Sequence, residues 1–372
     1  MNQEETLCSI ALTQIPGVGL ISAHQLIKEL GSAEAIFKNR KNLMEMVPGI
    51  TGRLVERLDN VEAFRRAEIE LTFAEKNQIA CISFFDERYP SRLRECEDAP
   101  LCLFYRGNAN LNALRMVSMV GTRQVTPYGQ DLCARFVADL AELCPGVVVV
   151  SGLAYGVDIH AHRAALQNGL PTIGVLAHGL DRIYPAVHRN TAAEMLNQGG
   201  LLTEFMSGTN PDRQNFVKRN RIVAGMCDAT IVVESAAKGG ALITAELAES
   251  YHRDCFAFPG RTTDEFSVGC NNLIRSNRAA LITSAADFVE AMGWEPSPMQ
   301  RPRAVQRELF PQLTEEEETI VQLLRKESDG MQINTLVVAA NIPIQRMSAL
   351  LFELEMKGIV RALAGGVYRL IG

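Results

Sequence analysis

Seven short apolar runs divide the middle of the chain: Met116–Val120, Val147–Val150, Thr172–Leu176, Leu201–Thr203, Ile231–Val233, Cys255–Phe258 and Ala280–Ile282. They are nearly continuous in apolar character rather than alternating, which predicts strands buried on both faces. Between them lie amphipathic stretches of helical length, such as Tyr128–Leu143 and Gly240–Tyr251. Strand and helix in alternation predict a doubly wound α/β domain with a parallel sheet. A ligand site is then expected at the carboxyl ends of the strands.

The flanks follow other patterns. Residues 1–78 read as helices joined by tight turns. The turn IPGVG (15–19) precedes an amphipathic run with Ile21, Leu26, Ile27 and Leu30, which Gly31 closes. The turn VPGITG (47–52) repeats the plan ahead of Leu54, Val55 and Leu58. Pro-Gly turns ahead of helix N-termini follow the helix-hairpin-helix plan, whose free N–H groups can hold a backbone phosphate. Residues 1–75 carry 8 basic and 11 acidic side chains, a net −3, which favours a structural helical domain over a DNA contact. In residues 79–107 two apolar runs, IACISFF and LCLFY, flank ERYPSRLREC; they predict an edge strand or a brace. Residues 295–313 hold four prolines and read as a fairly stiff linker. From 314 to 372, a Thr314/Glu317 capping box, three helical runs and a hairpin about Gly365-Gly366 predict a winged-helix domain. Its 6 basic and 8 acidic residues, with Glu353 and Glu355 on the third helix, favour packing or protein contact over groove reading.

Bulk composition narrows the class. The chain of 372 residues is 47% hydrophobic and 22% charged, with a formal net charge of −6, the profile of a folded multidomain protein. It is too acidic for a coat-like nucleic-acid binder, but a local basic site stays open. Nine cysteines form no CxxC pair, which excludes zinc-ribbon spacing and points to reduced thiols. No basic segment with an apolar run opens the chain, and no apolar run reaches the roughly 18 residues of a membrane span. The expectation is a cytoplasmic protein without membrane contact. Against this background Arg213, Lys218, Arg219 and Arg221 stand close together, with Asn215, Phe216 and Asn220 among them and Asp212 the nearby acid.

The predicted strand ends carry matching chemistry. They lead into Gly121-Thr122-Arg123, Ser151-Gly152, His178-Gly179, Glu234-Ser235 with Lys238-Gly239-Gly240, and Pro259-Gly260-Arg261. Glycines there let backbone approach a ligand and leave N–H groups for phosphate oxygens. Neither GxGxxG nor a P-loop is present, so a nicotinamide enzyme or an ATPase is not supported and no cofactor is expected.

Six ordered motifs resemble the DNA-processing protein A family (DprA, also called Smf): GTRQVTPYG (121–129), SGLAYGVDIHAHRAAL (151–166), GLDRIYP (179–185), FVKRNRIVAG (216–225), GGALITAELA (239–248) and FPG (258–260). The resemblance spans most of residues 80–292. It implies a Rossmann-like core over 79–294, flanked by a helix-hairpin-helix or SAM-like helical domain (1–78) and a winged helix (314–372). It further implies a homodimer that binds single-stranded DNA and helps load the RecA recombinase in natural transformation and recombination, without being an enzyme. The candidate nucleic-acid-binding set is Gly121, Arg123, Ser151, Gly152, Phe216, Lys218, Arg219, Asn220, Arg221, Lys238, Gly240 and Asn272.

Each side chain has a structural alternative. Arg123 can fork onto a phosphate or pair with Glu204 or Glu234. On a helix, Phe216, Arg219 and Asn220 share one face and Lys218 and Arg221 another. Lys218 and one arginine are therefore expected to hold phosphate, and the other arginine to pair internally. Phe216 either stacks a base or joins the core. Asp158, His160 and His162 are spaced so that only Asp158 and His162 share a helix face; a hydrogen-bonded helix start is expected rather than a metal site. Glu246 is the acid/base candidate of an alternative reading, a nucleoside-monophosphate hydrolase, with no partner carboxylate placed. A third reading is a winged-helix regulator whose middle domain senses a nucleotide.

Overall fold

The Pro-Gly turns of the N-terminal stretch organise helices. The computed structural model describes residues 3–295, 313–327, 330–363 and 365–371 and falls into two compact units, Met1–Gln300 and Arg301–Gly372. In the first unit α1 (Gln3–Thr13) and α2 (Leu20–Leu30) precede α3 (Val61–Lys76). Gly31 ends α2 at φ 90°, its N–H returning to the Ile27 carbonyl, a left-handed stop that glycine adopts without strain. Asn60 caps α3, accepting from the Ala63 N–H at 3.0 Å. Leu12, Ile15, Leu26, Ile36 and Leu43 form one core. Ile10, Ala11, Ala67 and Ala74 instead pack with Phe104 and Met206 of the α/β segment.

That segment builds one nine-stranded sheet in the order β1-β2-β6-β5-β4-β3-β7-β8-β9. The strands are β1 (Ala80–Ser83), β2 (Cys102–Gly107), β3 (Met116–Val120), β4 (Val148–Ser151), β5 (Thr172–Val175), β6 (Gly199–Thr203), β7 (Ala229–Val232), β8 (Asp254–Ala257) and β9 (Ala280–Leu281). All pairings from β6 across to β9 are parallel. The runs in 79–107 become β1 and β2, which add antiparallel at the β6 edge. The seven predicted strands are all present, with ends shifted by up to two residues.

Burial on both faces explains the continuous apolar runs. Met116 and Val120 of β3 join a core with Val150, Ile222 and Ala241. Val117 and Met119, which point the other way, join Phe136, Val157 and Phe288. Helices α4 (Pro127–Leu143), α5 (Val157–Gln167), α6 (Arg189–Gln198), α7 (Arg213–Gly225), α8 (Gly240–Ser250), α9 (Val268–Arg275) and α10 (Ala285–Ala291) complete the unit. The chain builds outward from β3 through β4 and β5 to β6, then returns across the sheet to β7. This reversal puts the crevice of the fold at the ends of β3 and β7.

The second unit packs α11 (Glu315–Arg325), α12 (Ile333–Ala340) and α13 (Ile344–Met356) on a three-stranded sheet of β10 (Met331–Gln332), β12 (Val367–Leu370) and β11 (Val360–Leu363). Its capping box is formed. Thr314 Oγ1 accepts the Glu317 N–H at 3.3 Å, and Glu317 accepts the Thr314 N–H at 2.8 Å. The buried Glu317 also takes Lys357 Nζ at 2.6 Å. Residues 296–312, most of the predicted linker, lie outside the described residues. Among the described residues no single helix is long and apolar enough to cross a membrane.

Candidate nucleic-acid interface

The crevice is a cavity of about 990 Å³. Its walls are the β3 end (Gly121 to Arg123), the β4 end (Gly152), the outer face of α7 (Arg213, Phe216, Asn220) and the segment from Ser235 to Gly240 that opens α8. Three backbone loops meet behind it. The Thr122 N–H donates to the Glu234 carbonyl at 2.7 Å, and the Val157 N–H to the Thr122 carbonyl at 3.2 Å. Such close approach needs glycine. Gly156 sits at φ 77°, and a Cβ there would lie 2.1 Å from the Thr122 carbonyl oxygen.

Arg123 is exposed at the cavity wall. Neither predicted acidic partner reaches it. The Glu234 carboxylate accepts the Thr126 N–H at 2.9 Å and Thr126 Oγ1 at 2.5 Å, where Thr126 caps α4. Glu204 is held by Arg221. The Arg123 guanidinium instead lies 4.9 Å from the centroid of the half-buried Phe216 ring. Arg219 approaches the same ring at 5.9 Å, and Tyr184 lies ring to ring at 6.0 Å. Phe216 is thus an aromatic surface bordered by two guanidinium groups.

The expectation of one internal arginine is corrected: both Arg219 and Arg221 turn inward. They are 4% and 7% exposed. Arg219 donates to the Gly152 carbonyl at 2.6 Å and to the Val175 carbonyl. Burial pushes its guanidinium down to about 10. Asp158 lies beside it, accepting the Gly152 and Ala154 N–H groups at 3.1 and 3.3 Å. Burial raises the Asp158 carboxyl against the pull of Arg219. On the opposite flank Arg221 pairs with the Glu204 carboxylate and donates to the Asp98 carbonyl. Burial likewise raises Glu204. The reason is that α7 has a wall on both sides, the strand ends on one and the 84–101 connector on the other. The exposed cations of α7 are Arg213 and Lys218.

Of the candidate residues, Gly121, Arg123, Gly152, Phe216, Arg219, Asn220, Lys238 and Gly240 line the cavity. Ser151 does not: it is fully buried and its hydroxyl donates to the Met119 carbonyl at 2.6 Å. Lys218, Arg221 and Asn272 also lie outside the lining. Next to Asn272, the Asn271 amide holds the Gly260 backbone at 3.1 and 3.0 Å. Arg213 and Ser235 line the cavity although neither is in the candidate set. Both were legible, Arg213 as the first cation of the basic cluster and Ser235 at the end of a predicted strand.

The other chemistry disperses. His162 turns from Asp158 to Thr172, Nδ1 to Oγ1 2.6 Å, and burial pushes its imidazole down to about 3. Glu246 borders the cavity, but its carboxylate lies 3.3 Å from Arg278, which also holds Glu249 at 2.8 Å.

Sheet order, covering helices and cleft define a doubly wound α/β protein that opens at its topological switch point and carries a winged helix C-terminal to it. The family model for DNA recombination-mediator protein A matches residues 80–293, and that for the DprA winged helix domain matches residues 306–366. The chain belongs to the DNA-processing protein A (DprA/Smf) family. It is 41% identical over 207 residues to DNA processing protein DprA of Streptococcus pneumoniae, covering 56% of this chain and 72% of that one. An X-ray structure of DNA processing protein A from Streptococcus pneumoniae matches with a TM-score of 0.58 at 34% identity, over 73% of this chain and 97% of that one. A structure addressing the single-stranded DNA binding mode of DNA processing protein A from Helicobacter pylori matches with a TM-score of 0.52 at 30% identity, over 58% and 95%.

Proposed function

We propose that this chain binds single-stranded DNA in the cleft at the ends of β3 and β7. The observation that carries the reading is the exposed Arg123 guanidinium over the Phe216 ring, at the mouth of a glycine-walled cavity. Gly240, where the space a Cβ would take is open, lets a sugar-phosphate backbone approach, whereas Gly121 and Gly152 make room for Val157 and the Arg219 guanidinium that pack behind the cleft. Arg123, Arg213 and Lys238 supply positive charge, and Phe216 offers a face for a base. The contacts favour backbone and stacking over base edges, so binding is weakly sequence-dependent. Kinship with recombination mediators extends the reading to loading a RecA-type recombinase on the bound strand, as a cytoplasmic homodimer. In this reading residues 1–78 and 314–372 flank the 79–294 core, with 295–313 as connector. The protein then acts as a mediator rather than a hydrolase, in keeping with the Glu246–Arg278 ion pair.

The test is a titration of labelled single strands and duplexes at several salt concentrations, with wild type and Arg123→Ala. Tighter binding of single strands that falls steeply with salt and weakens in the variant supports the reading. Preference for duplex, or indifference to the substitution, overturns it. Recombinase loading is scored by filament assembly on a strand already covered by a single-strand-binding protein.

A further inference from the structure

Residues 1–75 carry a net charge of −3, which favours a structural part for the N-terminal helices over holding a polyanion. One of their acids is nevertheless built into the α/β segment. Glu70 on α3 is 2% exposed. Its carboxylate accepts the Ser207 N–H at 2.9 and 3.0 Å and the Ser207 hydroxyl at 2.6 Å. Arg66, one turn earlier, donates to Glu70 at 2.9 Å and to the Ser207 carbonyl at 2.6 Å. The N–H, hydroxyl and carbonyl of one serine are all satisfied by α3. Charge-assisted bonds of this kind fix geometry as well as add energy.

Ser207 belongs to the loop 204–212, which joins β6 to α7. The rest of that loop is pinned from the other side. The Gly208 N–H donates to Asp181 at 3.0 Å, and Arg182 donates to the Asn210 side chain at 2.9 Å. Asn215 of α7 reaches back to the Asn210 carbonyl at 2.9 Å. Asp212 makes no side-chain cap, so the loop itself sets where α7 begins. The first turn of α7 then delivers Arg213 and Phe216 to the cleft.

We propose that Glu70 and Arg66 are positioning residues for the cleft. The N-terminal helices lock the 204–212 loop, and through it the placement of Arg213 and Phe216, without touching the strand. The inference rests on the reading of the cleft as a single-stranded DNA site. It makes a prediction opposite in sign to simple charge. Removing an acid near a polyanion site should by itself raise affinity. Releasing the loop lowers affinity, because binding must then order the loop.

The experiment titrates a labelled oligothymidylate into the full-length chain and its Glu70→Ala, Glu70→Gln and Ser207→Ala variants, over a range of salt. Amide exchange of 204–212 is followed in parallel. Glu70→Ala is expected to bind roughly 3- to 10-fold more weakly, with the salt slope of wild type, since no phosphate contact is lost. Exchange over 204–212 accelerates. Glu70→Gln, which keeps an acceptor for the serine, recovers part of the affinity. Ser207→Ala deletes one bond and leaves Glu70 paired with Arg66; it shifts affinity the same way and keeps the test readable if Glu70→Ala does not fold. Wild-type binding with unchanged or tighter binding by both alanine variants overturns the proposal alone. No binding by wild type overturns the cleft reading, and the proposal with it.

Discussion

The Arg123 guanidinium lies 4.9 Å from the centroid of the Phe216 ring, and the two side chains should fail in different ways. On the proposed reading Arg123→Ala removes a cation that meets phosphate, so log K should fall less steeply with log salt, by about 0.7 per contact on a single strand. Phe216→Ala removes a stacking face and should cost about 1–3 kcal/mol of binding with the slope unchanged. Because the side chains support each other, the double variant should lose less than the sum. Fluorescence anisotropy over a salt series reads all three. Equal slopes in wild type and Arg123→Ala would remove Arg123 from the interface.

Arg219 and Lys218 are neighbours in sequence with opposite roles. Arg219→Ala strips the Gly152 and Val175 carbonyls of their donor and leaves Asp158 buried beside no cation. Each stranded group costs about 1–3 kcal/mol, so a loss of about 3–5 kcal/mol in urea unfolding is expected. Lys218 is exposed, and Lys218→Ala should stay within about 0.5 kcal/mol of wild type. Similar stability of the two variants would refute the buried role of Arg219.

These two residues also show how far the sequence could be read. The seven central strands were legible because burial on both faces leaves an unbroken apolar run, as in β3. The direction of β1 and β2 was not, since short apolar runs look alike whether paired parallel or antiparallel. Helical spacing separated Arg219 from Arg221, but exposure depends on what packs against each face. Arg221 meets a carbonyl 123 positions away in sequence. Ser151 read as a ligand group by residue type; its bond to Met119 follows only once β3 and β4 are neighbours. The acids expected for Arg123 were both taken, one by Thr126 and the other by Arg221, and spacing does not reveal such competition.

Gly156 and Gly146 separate backbone strain from crowding. Both have positive φ, 77° and 83°, where alanine is strained by about 1–3 kcal/mol, and Gly156, at ψ −131°, lies outside the left-handed helical well. At Gly146 nothing lies within 4 Å of the added Cβ, whereas at Gly156 the Thr122 carbonyl oxygen lies at 2.1 Å and Arg123 backbone at 2.7 Å. Gly146→Ala should therefore lower the melting temperature modestly and leave single-strand binding intact. Gly156→Ala should lower both, with affinity down roughly tenfold or more as the Arg123 loop is displaced. Intact binding by Gly156→Ala would show that the loop adapts.

His162 gives the fold a pH dependence of definite sign. It is fully buried, with Nδ1 on Thr172. Burial first, and the Arg219 charge second, push it from 6.5 to about 3. Between those values the unfolded chain takes up a proton that the folded chain refuses. The stability held above pH 6.5 is therefore lost on acidification, by up to ~1.4 kcal/mol per pH unit across the window. The raised carboxyls of Asp158 and Glu204 act oppositely, since the folded state holds their protons more tightly. The comparison that isolates His162 is wild type against His162→Gln, by urea unfolding at steps between pH 7 and pH 4. His162→Gln should lose less stability on acidification than wild type. Parallel curves would mean that the imidazole is protonated in the folded protein, and that its burial beside Arg219 is misassigned.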